Sequence, residues 1–260
     1  MEHGEVRRYW DRNAAVWTHL AREGWDVYRD AVNTPAFFEL LPDVAGLRGL
    51  DVGCGEGHNT RLLGERGARM FGVDISEVFL GYAAGTERGA IHFIAGSAQE
   101  LPFASGQFDF VTSLMCLMDL PDQAAAFREI HRVLRAGGFL QFSIVHPCFA
   151  PPYRKVLRDA EGKPYAVAVG RYFERGDGEI DRWIFSAAPK DVRDGLRAFE
   201  VPTFHRTISE WLNMVVESGF TIERVAEPRA SEETARRVPA VADTRGVAYF
   251  LQVRCRKEGS

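Results

Sequence analysis

The stretch Leu50-Asp51-Val52-Gly53-Cys54-Gly55-Glu56-Gly57 constrains this chain more than any other. An apolar run ends in an acid, three glycines follow at alternate positions, and residues 58–66 then read as a helix. Glycine admits positive φ and lets a ligand approach the backbone closely. A helix N-terminus leaves unpaired N–H groups. Strand, glycine turn and helix in that order form a cradle for a nucleoside-bearing group. The G-x-G-x-x-G/A pattern of dinucleotide-binding turns is absent. Counted from Gly53, its third glycine position holds His58, and counted from Gly55 it holds Thr60. A ligand-free βα turn is the alternative, but such a turn needs fewer glycines.

From Leu47 the apolar pattern becomes an alternation of strands and helices. Strands are predicted at residues 47–52, 69–73 (ending at Asp74), 91–95, 108–112 and 139–145. The clearest helix is 123–135, with Phe127, Ile130, Val133 and Leu134 on one stripe and Gly137 as its C′ residue. Such alternation implies an α/β fold with a mainly parallel sheet covered on both faces. Upstream, residues 6–23 read as a helix carrying Tyr9, Trp10, Trp17 and Leu20 near one face, and Thr34-Pro35 reads as the N-cap and first residue of another. Residues 147–206 break the rhythm with prolines and glycines interleaved with aromatics, too long for a connection, and read as an inserted lid. A helix at 207–218, a strand at 221–225, a charged excursion from 227 to 243 and a strand at 247–254 follow. The two late strands suggest an antiparallel pair closing the sheet. The expected organisation is one domain, 1–260, made of a helical cap (1–46), a cofactor-binding core (47–146), the lid (147–206) and a C-terminal helix and strand pair (207–256).

Composition narrows the function classes. With 46% hydrophobic and 12% aromatic residues in 260, the chain buries a core. A net charge of −4 without a basic block argues against nucleic acid as a partner. No apolar run reaches the ~20 residues of a membrane span, and the N-terminus lacks a signal-peptide apolar region, so a cytoplasmic location is expected. The four cysteines have no metal-ligand spacing and the seven histidines form no H-x-x-x-H pair, so reduced thiols and no metal are expected.

The glycine octet resembles motif I of the class I S-adenosylmethionine (SAM)-dependent methyltransferases. Four further stretches resemble the same family in the same order: Met70-Phe71-Gly72-Val73-Asp74-Ile75-Ser76, Ala95-Gly96-Ser97-Ala98-Gln99-Glu100-Leu101-Pro102-Phe103, Phe108-Asp109-Phe110-Val111-Thr112-Ser113-Leu114-Met115 and Arg132-Val133-Leu134-Arg135-Ala136-Gly137-Gly138. Together they resemble its small-molecule branch, the ubiquinone/menaquinone-biosynthesis type. The resemblance implies a seven-stranded, Rossmann-like, doubly wound sheet, mainly parallel with an antiparallel last strand, plus the inserted lid. It implies SAM as cofactor and S-adenosylhomocysteine as product. Asp51, Gly53, Cys54, Gly55, Gly57 and Asn59 then surround the cofactor. Asp74, with Ile75, takes the ribose diol, or else caps the next helix in competition with Ser76. Ser97, Ala98 and Gln99 meet adenine, Ser97 standing where the family usually has Asp. Ser113 and Leu114 face the sulfonium. The leading segment closes over the cofactor and brings Tyr9, Trp17, Tyr28 or Arg29 to the methionine end or the substrate. The lid contributes Tyr172 and Trp183.

Methyl transfer requires alignment of the acceptor and, for an acidic acceptor, a base. Asp119 and His146 follow the two central strands on the ligand side. Asp119 is a base or a cap for the helix near Pro121, and His146 is a base or a structural residue orienting the turn at Pro147. Arg206 is a clamp for an acidic acceptor or the SAM carboxylate, or a partner of surface acids. The function these features imply is transfer of a methyl group from SAM to a small organic acceptor, at oxygen. The alternatives are a nucleic-acid-directed methyltransferase and a non-catalytic SAM-binding protein.

Overall fold

The computed structural model describes residues 1–86, 91–161 and 164–259. Helix α1 (His3–Arg22) leads into a π-helical turn (Arg29–Asn33) that runs on into α2 (Thr34–Leu40). Thr34 therefore does not cap α2: Asn33 before it is already helical, and the Thr34 hydroxyl bonds Asn59 Oδ1 at 3.3 Å instead. The core follows as β1 (Arg48–Val52), α3 (His58–Glu65), β2 (Arg69–Asp74), α4 (Glu77–Thr86), β3 (His92–Ala95), β4 (Phe108–Leu114), a 3₁₀ turn (Leu117–Asp119), α5 (Gln123–Val133) and β5 (Leu134–Val145). Helix α5 stops two residues short of the expected end, because β5 begins at Leu134, paired with Phe108 of β4. Gly137, at φ +74, thus belongs to the strand entry and is not a helix C′ residue.

The insertion is not irregular. It folds into a hairpin of β6 (Tyr153–Arg158) with β7 (Pro164–Gly170), and a second pair of β8 (Glu179–Trp183) with β9 (Phe199–Thr203), α6 (Lys190–Asp194) lying between β8 and β9. Helix α7 (Ile208–Glu217) returns the chain to the sheet, with Thr207 and Glu210 forming the capping box. Strand β10 (Phe220–Ala226), α8 (Glu232–Arg237), a 3₁₀ turn (Pro239–Arg245) and β11 (Phe250–Lys257) end the fold.

The main sheet has seven strands in the order β10-β11-β5-β4-β1-β2-β3. Strand β11 runs antiparallel to both neighbours, and the pairs among β1–β5 are parallel. Because side chains alternate across a strand, consecutive residues feed opposite faces. Val111 and Leu140 join a core with Phe127, Ile130 and Trp211, while Phe110 and Phe139 stack 5.5 Å apart in a second core with Leu63 and Met70. Strand order reverses between β1 and β4, which opens a crevice at their carboxyl ends.

Candidate active site

A cavity of about 1070 Å³ occupies that crevice and extends under α1 and the insertion. Its floor is the glycine turn. Gly53 has φ +73, and a Cβ there would meet Cys116 Sγ at 2.3 Å, so this glycine lets the turns after β1 and β4 touch. Gly55 has φ +54 and a Cβ there would meet nothing within 4 Å among the described residues beyond its chain neighbours, leaving bare backbone open to a ligand. Gly57, at φ +83, precedes α3 and lies off the cavity wall.

Asp74, at the end of β2, lies on the wall. Its Oδ2 accepts from Gly55 N at 2.8 Å and its Oδ1 from Ser76 N at 2.8 Å. Burial pushes its carboxyl up to about 6, against the pull of those N–H groups. Each oxygen keeps a lone pair, which suits a diol. Gln99 also lines the cavity, and its Oε1 is buried without a hydrogen-bond partner among the described residues. Ser97 Oγ accepts from Gln99 N at 3.2 Å, so the shorter side chain closes a local turn and leaves Gln99 as the open acceptor. Ile75, Ala98, Leu114, Cys54 and Asn59 complete this half. Burial also drives the Cys54 and Cys116 thiols well up, which makes them inert packing groups. A bare glycine backbone, a carboxylate for a diol and an orphaned acceptor for an amino group fit SAM.

Several expected residues lie elsewhere. Asp51 is off the wall: its Oδ2 accepts from Thr60 Oγ1 at 2.6 Å and its Oδ1 from Thr112 Oγ1 at 3.1 Å, tying β1 to α3 and β4. Ser113 is fully buried and donates to Val52 O at 2.9 Å. Tyr9 lies off the cavity under the Arg12 guanidinium, 4.6 Å from its ring. Tyr172, also off the wall, accepts from Ile208 N at 2.9 Å and serves the start of α7. His146 is 2% exposed and absent from the wall. Its Nδ1 accepts from Cys148 N at 3.2 Å, so Nε2 carries the ring hydrogen and gives it to Glu227 Oε1 at 2.7 Å. With both nitrogens engaged, His146 has no lone pair for a substrate proton, and the geometry makes it structural.

The other candidates reach the cavity. Trp17 and Trp183 do so within a cluster, rings 5.3 Å apart. Arg206 gives hydrogens to the carbonyls of Gly176 at 2.9 Å and His205 at 2.7 Å, which braces the insertion. Tyr28 bonds Asp243 at 2.9 Å, and Tyr249 bonds the same carboxylate at 2.8 Å. Asp119 lies on the wall at 6% exposure, and its carboxyl has no hydrogen-bond partner among the described residues. Burial alone raises it well above the usual carboxylate range. Asn33, Arg154, Asp243 and Tyr249 line the cavity without any local signal in the sequence, as does Met115, a non-glycine residue at φ +56 directly after β4.

Comparison with known proteins agrees with this geometry. A family model described as a methyltransferase domain matches residues 50–142. The crystal structure of a SAM-dependent methyltransferase from Mesorhizobium loti is 31% identical, covers 85% of this chain and 96% of its own, and superposes with a TM-score of 0.70. A malonyl-[acyl-carrier protein] O-methyltransferase of Enterobacter lignolyticus is 31% identical over 50% of this chain and 52% of its own length. A ubiquinone biosynthesis O-methyltransferase of Pseudomonas aeruginosa is 36% identical over 56% of this chain and 64% of its own length. The chain thus spans about half the length of the first of these curated relatives. The chain belongs to the SAM-dependent methyltransferases, and SAM is its cofactor.

Proposed function

We propose that this protein methylates a small organic acceptor at oxygen, in the cytoplasm, as a single domain whose insertion and leading helices cover the acceptor. The observation that carries the reading is Asp119, a buried carboxyl with no hydrogen-bond partner among the described residues, on the wall shared with Gly55 and Asp74. Bound SAM supplies a methyl group on a positively charged sulfur. Gly53, Gly55, Asp74, Ala98 and Gln99 hold the cofactor, with Cys54, Asn59, Ile75 and Leu114 shaping its bed. Asp119 takes the proton of the acceptor hydroxyl, and its raised affinity for protons makes its ionised form a stronger base than a solvated carboxylate. The walls exclude water and fix the acceptor's orientation. The two curated relatives described above, both named O-methyltransferases, support the choice of atom.

The test is transfer of labelled methyl to candidate acceptors, beside calorimetry with S-adenosylhomocysteine. Asp119→Asn should lower kcat about 10²–10⁴-fold, remove the acidic limb of the pH–rate profile and leave cofactor affinity within twofold. A fall of less than about tenfold with the profile unchanged would leave alignment alone as the mechanism.

A further inference from the structure

The cavity wall carries two hydrogen-bond donors that the cofactor reading does not use. The first is Asn33. Gln252 Nε2 donates to the backbone O of Asn33 at 2.9 Å, which fixes which end of the Gln252 amide is NH₂. The same NH₂ reaches Asn33 Oδ1 at 2.9 Å, and Ser143 Oγ donates there at 2.7 Å. The Asn33 amide is therefore oriented from behind, and its Nδ2 is left buried without a partner among the described residues, at the cavity wall. It sits in the π-helical turn, a distortion often found at functional sites.

The second is Arg154, on β6. Neighbouring cavity arginines face acids: Arg171 meets Glu174 at 2.6 Å and Arg175 meets Glu210 at 2.7 Å. No carboxylate oxygen lies within 4.0 Å of Arg154 among the described residues, and its guanidinium rests 4.4 Å from the Tyr249 ring centroid. Tyr249 in turn stands 5.4 Å from Tyr28, whose chain leads straight into the turn bearing Asn33. A cation, an aromatic pair and a neutral buried donor thus follow one another along a single wall.

We propose that this wall reads the acceptor, and that the acceptor is a hydroxy-carboxylic acid: Arg154 holds its carboxylate and Asn33 Nδ2 donates to its neutral hydroxyl oxygen. The division follows from chemistry. A guanidinium matches a carboxylate with two parallel hydrogen bonds. A neutral donor in a dry wall suits a neutral oxygen, since a charge there would lose its hydration without compensation. The two phenols contribute a flat surface, the Tyr249 hydrogen going to Asp243 and the Tyr28 hydroxyl sitting between the Ala240 carbonyl at 2.8 Å and Asp243 at 2.9 Å.

This inference rests on the methyltransferase reading, and its test separates the two. The full chain is saturated with S-adenosylhomocysteine, and calorimetry then compares hydroxybenzoates with hydroxybenzamides and short 2-hydroxy acids with their amides. At least one acid should bind about tenfold or more tighter than its amide. Arg154→Gln should abolish that preference while cofactor affinity stays within twofold. Asn33→Asp keeps the oxygen that Ser143 and Gln252 need but removes the donor, and should weaken the acid at least tenfold. Equal binding of acid and amide, no binding of any acid, or a preference that survives Arg154→Gln would overturn the inference. Failure of S-adenosylhomocysteine to bind the wild type would instead overturn the cofactor reading beneath it.

Discussion

Asp51 and Asp74 are buried carboxyls at the ends of adjacent strands, and what distinguishes them is what their oxygens face. Asp74 looks into the cavity past two backbone N–H groups, whereas Asp51 looks back into the protein at two threonine hydroxyls. Burial raises Asp51 from about 4 to about 6. A carboxyl raised in the folded state stabilises the fold most when protonated. Its contribution is fully present below pH ~4, declines as pH rises to ~6, and is absent above, a change of about 3 kcal/mol at most. Asp51→Asn should therefore flatten the fall in stability between pH 4 and 6, measured by urea unfolding, whatever constant offset the substitution brings. A wild-type and variant difference independent of pH would show that Asp51 is ionised throughout. At this scale the sequence was legible where a motif assigns a residue to a backbone position, as for Gly55 and Asp74. It was not legible where the partner comes from far along the chain. His146 stands at the end of a central strand as expected, but its role is decided by Glu227, 81 residues later, and by the N–H of Cys148.

The turn between β1 and α3 shows two glycines doing different physical work. Both have left-handed backbones, which cost a residue with a Cβ roughly 1–2 kcal/mol. At Gly53 the Cβ would also lie 2.3 Å from Cys116 Sγ, so Gly53→Ala must push apart the turns after β1 and β4. At Gly55 it would meet nothing within 4 Å among the described residues beyond its chain neighbours and would fill the space a ligand needs. Gly53→Ala should thus lower stability by more than about 2 kcal/mol. Gly55→Ala should remain folded, with a loss near 1 kcal/mol, yet lose at least tenfold in S-adenosylhomocysteine affinity. Chemical denaturation beside calorimetry separates the two, and the reverse ranking would remove Gly55 from the cofactor floor. The spacing of these glycines was readable because backbone geometry is local. Boundaries set by tertiary pairing were less so: β5 reaches back to Leu134 because Phe108 is there to receive it, and the π-helical turn before α2 replaces an expected cap. The stretch from 227 to 243, read only as charged, supplies Asp243 to the cavity through a 3₁₀ turn that no periodicity announces.

On the scale of the whole molecule, the leading helix and the insertion form one cap assembled from segments some 180 residues apart. Trp17 of α1 packs 4.7 Å from Phe199 and 5.0 Å from Phe185, in a cluster with Leu20 and Val201. Asn13 of α1 donates to Glu200 O at 2.9 Å and accepts from Glu200 N at 3.1 Å, so one side chain serves as a backbone partner for β9. The insertion's length and aromatic content pointed to a lid. That it would fold as two strand pairs, the second held by α1 through β9, could not be read, because the pairing joins residues with no local pattern in common. The clasp gives a prediction about motion. Removing both hydrogen bonds with Asn13→Ala should cost about 1–2 kcal/mol, a factor of roughly 5–30 in the population with the cap displaced. Cleavage of a transiently opened segment follows that population when reclosing is fast. Trypsin should then cut Asn13→Ala within 147–206, where Arg171, Arg182 and Lys190 are exposed, at least fivefold faster than wild type. Cuts in the sheet core should accelerate far less. Saturating S-adenosylhomocysteine together with a bound acceptor should slow the cap cuts in both proteins, if closing the cap over ligand is part of the cycle. Equal acceleration at core and cap sites would mean that Asn13 stabilises the whole fold, and an unchanged pattern with ligand would make the insertion a fixed wall instead of a lid.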